Sequence, residues 1–406
     1  MGDEVCQNGL IDWDFEYERA KKLLDELKLK VNPRTVVGNL GIGQQQLVEI
    51  AKALNKNCKI LILDEPTAPL PEDDSENLLN LMRGLRDKGI SIIFISHKLG
   101  EVLSIADTVT ILRDGQTVET RPAEEYSQDT LISGMVGREL KTLFEPRCCT
   151  IGEVALRVSD WSVFDGINNK WIVRDINLEV REGEVVGLAG MIGAGRTELG
   201  MSIFGALQGS ITGKMEYKGR QRARFKNSNE AIKAGVFYSS EDRKRYGLVL
   251  TSDIAYNASL SSLDKYINGG FFINRDKEYG KVKEMVKKLR VKTPSILQRV
   301  GNLSGGNQQK VCLAKALMTE PKVLILDEAT RGIDIGAKTE IYQLINQMAD
   351  QGIAVIMISS ELPEILGMSD RIYVMREGRI SAEFDNSARK ITQEDVALAA
   401  TGGVTT

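Results

Sequence analysis

The chain has 406 residues, long for a single domain, so two domains are the first expectation. Apolar residues at 42% and charged residues at 27% are ordinary for a folded globular protein and exclude a disordered or fibrous class. A net charge of −3 and a pI near 5.7 leave no basic footprint for nucleic acid. The longest apolar runs, such as IAVIMI from Ile353 to Ile358, are strand length and far short of a membrane span. MGDEVCQNGL lacks the basic start and apolar centre of a signal peptide. The five cysteines (Cys6, Cys58, Cys148, Cys149, Cys312) show no metal spacing and suit a reducing cytoplasm, with Cys148 and Cys149 as linker thiols.

In chain order, the first informative stretch is VGNLGIGQQQLVEIAKAL, from Val37 to Leu54. Leu40, Gly41, Gly43 and Gln44 make a Gly-rich turn, and Leu47, Ile50, Ala51 and Leu54 fall on one face. This is a helix packed on a core, with an N-terminus able to face an anion. No phosphate-cradling loop precedes it. ILILDEPT, from Ile60 to Thr67, then reads as a buried strand ending in two acids. Asp64 is placed to hold Mg²⁺, generally through water, and Glu65 to polarise an attacking water. The single histidine, His97, ends another strand read as buried, IIFISHKL, where it can contact a γ-phosphate and orient that water.

A stretch with one Pro and no periodicity, Met135 to Glu153, reads as a linker. It sets the expected domains at 1–134 and 153–400, joined by 135–152. Beyond it, VVGLAGMIGAGRTEL (Val185 to Leu199) is an apolar strand, a Gly-rich turn and a helix start. Gly190-x4-Gly195-Arg196-Thr197 matches the phosphate loop G-x4-G-K-[ST], with Arg in place of Lys. Backbone N–H groups from Gly190 through Gly193, Ala194 and Gly195 to Arg196 would wrap phosphates, and the Thr197 hydroxyl would ligate Mg²⁺. Arg196 keeps the positive charge on a bulkier planar fork, so slow or absent turnover is expected at this loop.

The remaining elements repeat the first half. VGNL at Val37 returns at Val300, 263 residues on (300 − 37), and LILDE at Leu61 returns at Leu324 with the same offset (324 − 61). The second Gly-rich helix start is therefore Leu303, Ser304, Gly305, Gly306 and Asn307, and the second acid pair is Asp327 and Glu328. Ser360 takes the place of His97 (360 − 263) and cannot do its work, so the two copies are chemically unequal. The same offset puts the first copy's phosphate loop at −73 (190 − 263), ahead of residue 1. The first copy is thus expected to be incomplete, with strands missing from its sheet and apolar edges open. Alternating β-branched runs and helical stretches give α/β layers around a mostly parallel sheet.

A phosphate loop, LSGGN, LILDE and a His-bearing strand, in that order, resemble the nucleotide-binding domains of ATP-binding cassette (ABC) proteins. The resemblance implies tandem ABC domains, each a P-loop NTPase core sheet plus a helical subdomain, with ATP and Mg²⁺ as cofactors. In that family the helix starting LGIGQ or LSGGN faces a nucleotide held by the other copy's phosphate loop. GAGRTE (Gly193 to Glu198), EDRKR (Glu241 to Arg245), LSGGNQQK and TRGIDIGAK resemble the monosaccharide-import ATPases over nearly the whole chain. LGIGQQQLVEIAKALNK and QGIAVIMISSELPEIL are most similar to those of xylose importers. Glu241 would then stand in the Q-loop, Asp334 would be the D-loop acid, and Trp161 or Phe164 would stack on adenine. Pro69 and Pro71 in the first D-loop, Ala329 for a Pro, and YSS before Glu241 depart from the pattern. The implied function is a peripheral ATPase on the cytoplasmic face of the membrane, energising import of a monosaccharide, xylose first. Its partners would be membrane permease subunits and an extracytoplasmic sugar-binding protein, with no nucleic acid. A ribose or galactose importer, a non-transport ABC protein and a non-catalytic nucleotide-binding fragment are the alternatives. As it stands, the chain is expected as a monomer to bind ATP without hydrolysing it at a useful rate.

Overall fold

The computed structural model describes the chain except residues 1–3, 8–9, 28, 57, 68–69, 71, 97, 114, 137–143, 145–146, 148–149, 208, 223, 269–271 and 403–406. It divides into two compact units, Met1–Leu140 and Lys141–Thr406. Among the described residues no helix is long and apolar enough to cross a membrane.

In the first unit, helices α1 (Trp13–Glu26) and α2 (Ile42–Leu54) precede two parallel strands, β1 (Ile60–Asp64) and β2 (Ser91–Ile95). The crossover between the strands is α3 (Glu72–Asp87). Then come α4 (Leu99–Ile105), the hairpin β3 (Thr108–Arg113) and β4 (Gln116–Pro122), and α5 (Gln128–Val136). Ile50 of α2, Leu61 and Leu63 of β1, and Leu78, Leu79, Met82 and Leu85 of α3 share one core. The opposite sheet face is open: Ile60, Ile62, Ile93 and Ile95 are 60%, 63%, 51% and 48% exposed. The sequence suggested buried strands here. Their aliphatic runs are long enough for burial on both faces, but only one face is covered, so alternate residues meet solvent.

The second unit opens with β5 (Val154–Asp165), β6 (Lys170–Arg181), β7 (Val185–Gly190), α6 (Arg196–Phe204), β8 (Ser210–Tyr217) and β9 (Val236–Ser239). A helical part follows, α7 (Ile254–Ser259), α8 (Arg275–Lys288) and α9 (Gly305–Met318). The chain then returns through β10 (Val323–Asp327), α10 (Ile335–Asp350), β11 (Ala354–Ile358), α11 (Leu362–Met368), β12 (Arg371–Arg376), β13 (Arg379–Asp385) and α12 (Gln393–Thr401). The main sheet runs β9-β10-β11-β7-β12-β13, parallel except for the last pair. One face, with Leu324, Leu326, Val355 and Met357, packs on the helices. The other, with Val323, Ile325, Ile356 and Ile358, packs on the antiparallel sheet of β5, β6 and β8. These four are the counterparts, 263 residues on, of the exposed Ile60, Ile62, Ile93 and Ile95. Part of the expected linker also belongs to this unit. The Phe144 ring lies 5.1 Å from that of Tyr342, and buried Arg147 pairs with Asp370.

Candidate functional site

The phosphate loop leaves the sheet at β7, between β11 and β12. Gly190 ends the strand at φ 150°, where a Cβ would run into the Met375 carbonyl of β12. Gly195, at φ 96°, is the N-cap of α6, and a Cβ there would stand 2.8 Å from the Ile172 carbonyl of β6. Both positions need glycine, for the backbone angle and for the close approach. The Ala194 N–H donates to the Met191 carbonyl (3.1 Å), and the Ala194 carbonyl accepts from Gly378 N–H (3.0 Å). The loop crest, with Ile192 at 95% exposure, is open to solvent. Arg196 is buried, donating Nη1 to the Ser359 carbonyl at 2.6 Å.

Two acids close the site from β10. Asp327 is buried: Oδ2 accepts from the Tyr238 hydroxyl at 2.7 Å, and Oδ1 has no hydrogen-bond partner among the described residues. Burial pushes its pKa up, against the pull of the Tyr238 and Thr197 hydroxyls. Glu328 sits in left-handed backbone at φ 48°, its N–H donating to the Ile358 carbonyl (2.9 Å) and its Oε2 accepting from the Ser360 hydroxyl (3.1 Å). Burial is the main cause that pushes its pKa up to about 7; Arg196 and Ser360 pull it down, and Asp327 and Glu364 push it further up.

A buried carboxylate stands behind these acids. Glu364 Oε1 accepts from the hydroxyls of Thr330 and Tyr342 (both 2.6 Å), and Oε2 from the Ser359 hydroxyl (2.7 Å). Lys338 lies 3.4 Å away. The first unit repeats the plan. Glu65 has φ 46° and donates its N–H to the Ile95 carbonyl at 2.8 Å, and the Thr67 hydroxyl donates to Glu101 at 2.5 Å. Each is its counterpart less 263. The cations differ. Lys98, 3.1 Å from Glu101, occupies the position of Glu361, whereas Lys338 occupies that of Ser75. Asp64 and Glu65 are exposed where Asp327 is buried.

The two Gly-rich helix starts share their geometry. In α2, Gly41 is the N-cap, its N–H donates to Gln44 Oε1 (3.3 Å), and Gln45 Nε2 donates to the Leu40 carbonyl (2.8 Å). In α9, Ser304 is the N-cap, Asn307 Nδ2 donates to Ser304 Oγ (2.9 Å), and Gln308 Nε2 donates to the Leu303 carbonyl (3.1 Å). Asp334 caps α10 by accepting from the Ala337 N–H at 2.9 Å, and exposed Glu241 lies 3.5 Å from Arg331. His97, Pro69 and Pro71 lie outside the described residues. Trp161 is wholly buried, with its indole N–H on Ser202 Oγ at 2.9 Å, which takes it out of reach of a base. Phe164 remains at the surface, 5.1 Å from Trp171, an exposed ring beside Ile172 that the sequence reading did not single out. Tyr238 and Glu364 were also missed. The signal for Glu364 was the repeat itself, since Thr67 with Glu101 recurs as Thr330 with Glu364.

The ABC transporter family profile matches residues 5–68 and 173–331, more than half of the chain. The chain belongs to the ABC transporter ATP-binding family. This ABC protein is 52% identical over 404 residues to the xylose import ATP-binding protein XylG of Moorella thermoacetica, spanning 99% of this chain and 79% of that one. It is 51% identical over 398 residues to the L-arabinose transport ATP-binding protein AraG of Geobacillus stearothermophilus, spanning 97% and 77%. Among solved structures, an ATP-binding cassette of an ABC transporter superposes with a TM-score of 0.52 at 22% identity, over 61% of this chain and 98% of that one. A cassette in a dimeric post-hydrolysis state bound to ADP and Pi gives 0.50 at 18% identity, over 57% and 98%. These two likenesses concern the fold alone. As an ABC family member the chain is an ATP-binding subunit.

Proposed function

We propose that this chain energises import of a monosaccharide, xylose foremost, by binding and hydrolysing ATP on the cytoplasmic face of the membrane, with a permease and an extracytoplasmic sugar-binding protein as partners. The observation that supports the nucleotide half is the Gly195-capped loop, with the Thr197 hydroxyl acting on Asp327, whose buried Oδ1 has no hydrogen-bond partner among the described residues. A buried carboxylate oxygen without a donor fits a site for a cation. Thr197 and Asp327 would hold Mg²⁺ there, and Asp64 would do so in the first copy. The bound ion would offset the charge of the β- and γ-phosphates.

In this reading the N–H groups of Gly190, Gly193, Ala194, Gly195 and Arg196 cradle the phosphates. Glu328 and Glu65 polarise water, His97 orients it, and Glu241 senses the γ-phosphate. Leu40, Gly41, Gly43 and Gln44, and Leu303, Ser304, Gly305, Gly306 and Asn307, present helix N-termini to nucleotide. Xylose rests on the names of the relatives. An arabinose reading is favoured by AraG, which is almost as similar as XylG. The test is uptake of labelled xylose and arabinose in cells that lack their own xylose ATPase subunit but keep the permease and binding protein. Restored xylose uptake, abolished by Thr197→Ala, is expected. Restoration of arabinose uptake alone would transfer the assignment to that sugar, and restoration of neither would sink the transport reading.

A further inference from the structure

The segment after β9 carries a cation that none of these roles uses. Arg243 is half-buried and spends three nitrogens on two other segments. Its Nη1 donates to the Arg331 carbonyl at 2.7 Å and its Nη2 to the Gly332 carbonyl at 3.1 Å. Its Nε donates to Gln308 Oε1 at 3.4 Å. The two carbonyls belong to the loop that runs from Glu328 to α10. Gln308 lies in the first turn of α9, and its Nε2 reaches on to the Leu303 carbonyl. Neighbouring Asp242 accepts from the N–H groups of Lys244 (3.1 Å) and Arg245 (3.0 Å), which fixes the turn that aims Arg243.

Gly305, the first residue of α9, faces this guanidinium. A Cβ there would stand 2.8 Å from Arg243 Nη2 and 3.1 Å from the Gly332 carbonyl. Its φ is not left-handed, so the need for glycine is one of space.

We propose that Arg243 is a positioning residue that locks the end of β9, the 331–332 loop and the start of α9 into one piece, with Gly305 kept free of a side chain to admit its guanidinium. A planar fork can hold two carbonyls and an amide oxygen at once, whereas a lysine ammonium on a flexible stem cannot hold all three in one plane. The lock matters to ATP chemistry because the acid Glu328 and the helix start 303–307 then move together. It rests on contacts within one unit and is independent of which sugar is carried.

The experiment is amide hydrogen exchange and urea unfolding on the full chain, comparing wild type with Arg243→Ala, Arg243→Lys, Gly305→Ala and the Arg243→Ala/Gly305→Ala double variant. Arg243→Ala should speed exchange in 303–308 and in 331–333 together by about tenfold, as loss of charge-assisted bonds opens both segments, with Arg196–Phe204 unchanged. Arg243→Lys should show the same paired increase. It also decides the matter if the alanine variant fails to fold, because wild-type exchange in the lysine variant would overturn the proposal. Gly305→Ala should lower the unfolding midpoint in the wild-type background and leave it level or raise it beside Arg243→Ala, since alanine is the better helix former once the guanidinium is gone. An equal loss in both backgrounds, or faster exchange in one segment only, overturns the lock. A parallel ATP·Mg²⁺ titration separates the two readings: absence of binding would defeat the phosphate-loop assignment and leave the lock untouched.

Discussion

Glu328 carries the clearest residue-level consequence. Its ordinary value is 4.5, and in the folded chain it is pushed up to about 7, chiefly by burial. Between those values the folded chain holds a proton that the unfolded chain has released, so stability falls as pH rises through the window. Glu328→Gln should flatten the decline in thermal midpoint from about pH 5 to pH 8 and leave the variant more stable than wild type at the alkaline end. A parallel decline in both proteins would show that some other group sets the slope. In the proposed role of a base Glu328 would work only when ionised, so burial would trade stability at neutral pH for a pKa nearer neutrality. Thr197 makes a sharper claim about metal. Thr197→Ala should weaken ATP binding measured with Mg²⁺ by about tenfold or more, and change binding in EDTA little. Unchanged Mg²⁺-dependent affinity would remove Thr197 from the ion's shell.

At the scale of elements, the duplicated plan shows which features a strand-end acid pair requires. Thr67 with Glu101, and Thr330 with Glu364, tie the turn after the acids to the helix that follows the next strand. The cation beside each carboxylate arrives from a different place, Lys98 in one unit and Lys338 in the other. The carboxylate is therefore the fixed part and its counter-charge the movable one. Glu364 accepts three buried hydroxyls, so Glu364→Ala strands them and Lys338 together and should cost about 3 kcal/mol or more. Glu101, with one hydroxyl and one half-buried lysine, should cost about half as much or less. Urea unfolding of the two variants checks the order, and a larger loss at Glu101 would reverse it. Much of this was legible beforehand. The offset of 263 fixed the counterparts of Asp64, Glu65 and Leu40, and the phosphate loop stood out by its glycines. The burial of Trp161 and the bond from Arg196 to the Ser359 carbonyl were not legible. Each depends on a partner distant in sequence, Ser202 for one and Ser359 for the other, and neither lies in a spaced pattern.

At the scale of the whole molecule, one sheet design stands in two surroundings. Val323, Ile325, Ile356 and Ile358 are buried in a core shared with the antiparallel sheet of the second unit, while Ile60, Ile62, Ile93 and Ile95 face solvent. Burial of such a side chain contributes roughly 1.5–3 kcal/mol, so the same residue type is stabilising in one unit and an association surface in the other. Two parallel strands with open backbone edges add to the hazard, because unpaired edges template further pairing. The chain should self-associate with rising concentration through this face. The double variant Ile62→Thr/Ile93→Thr should move sedimentation-velocity profiles toward monomer with little loss of stability, threonine being a good strand residue. The matching change in the second unit, Ile325→Thr with Ile356→Thr, should instead lower its unfolding midpoint steeply, since each threonine puts a hydroxyl into an apolar core. If the first pair unfolds its unit as readily as the second pair does, those isoleucines are covered in solution. Unchanged association in the Ile62→Thr/Ile93→Thr protein would place the sticky surface elsewhere.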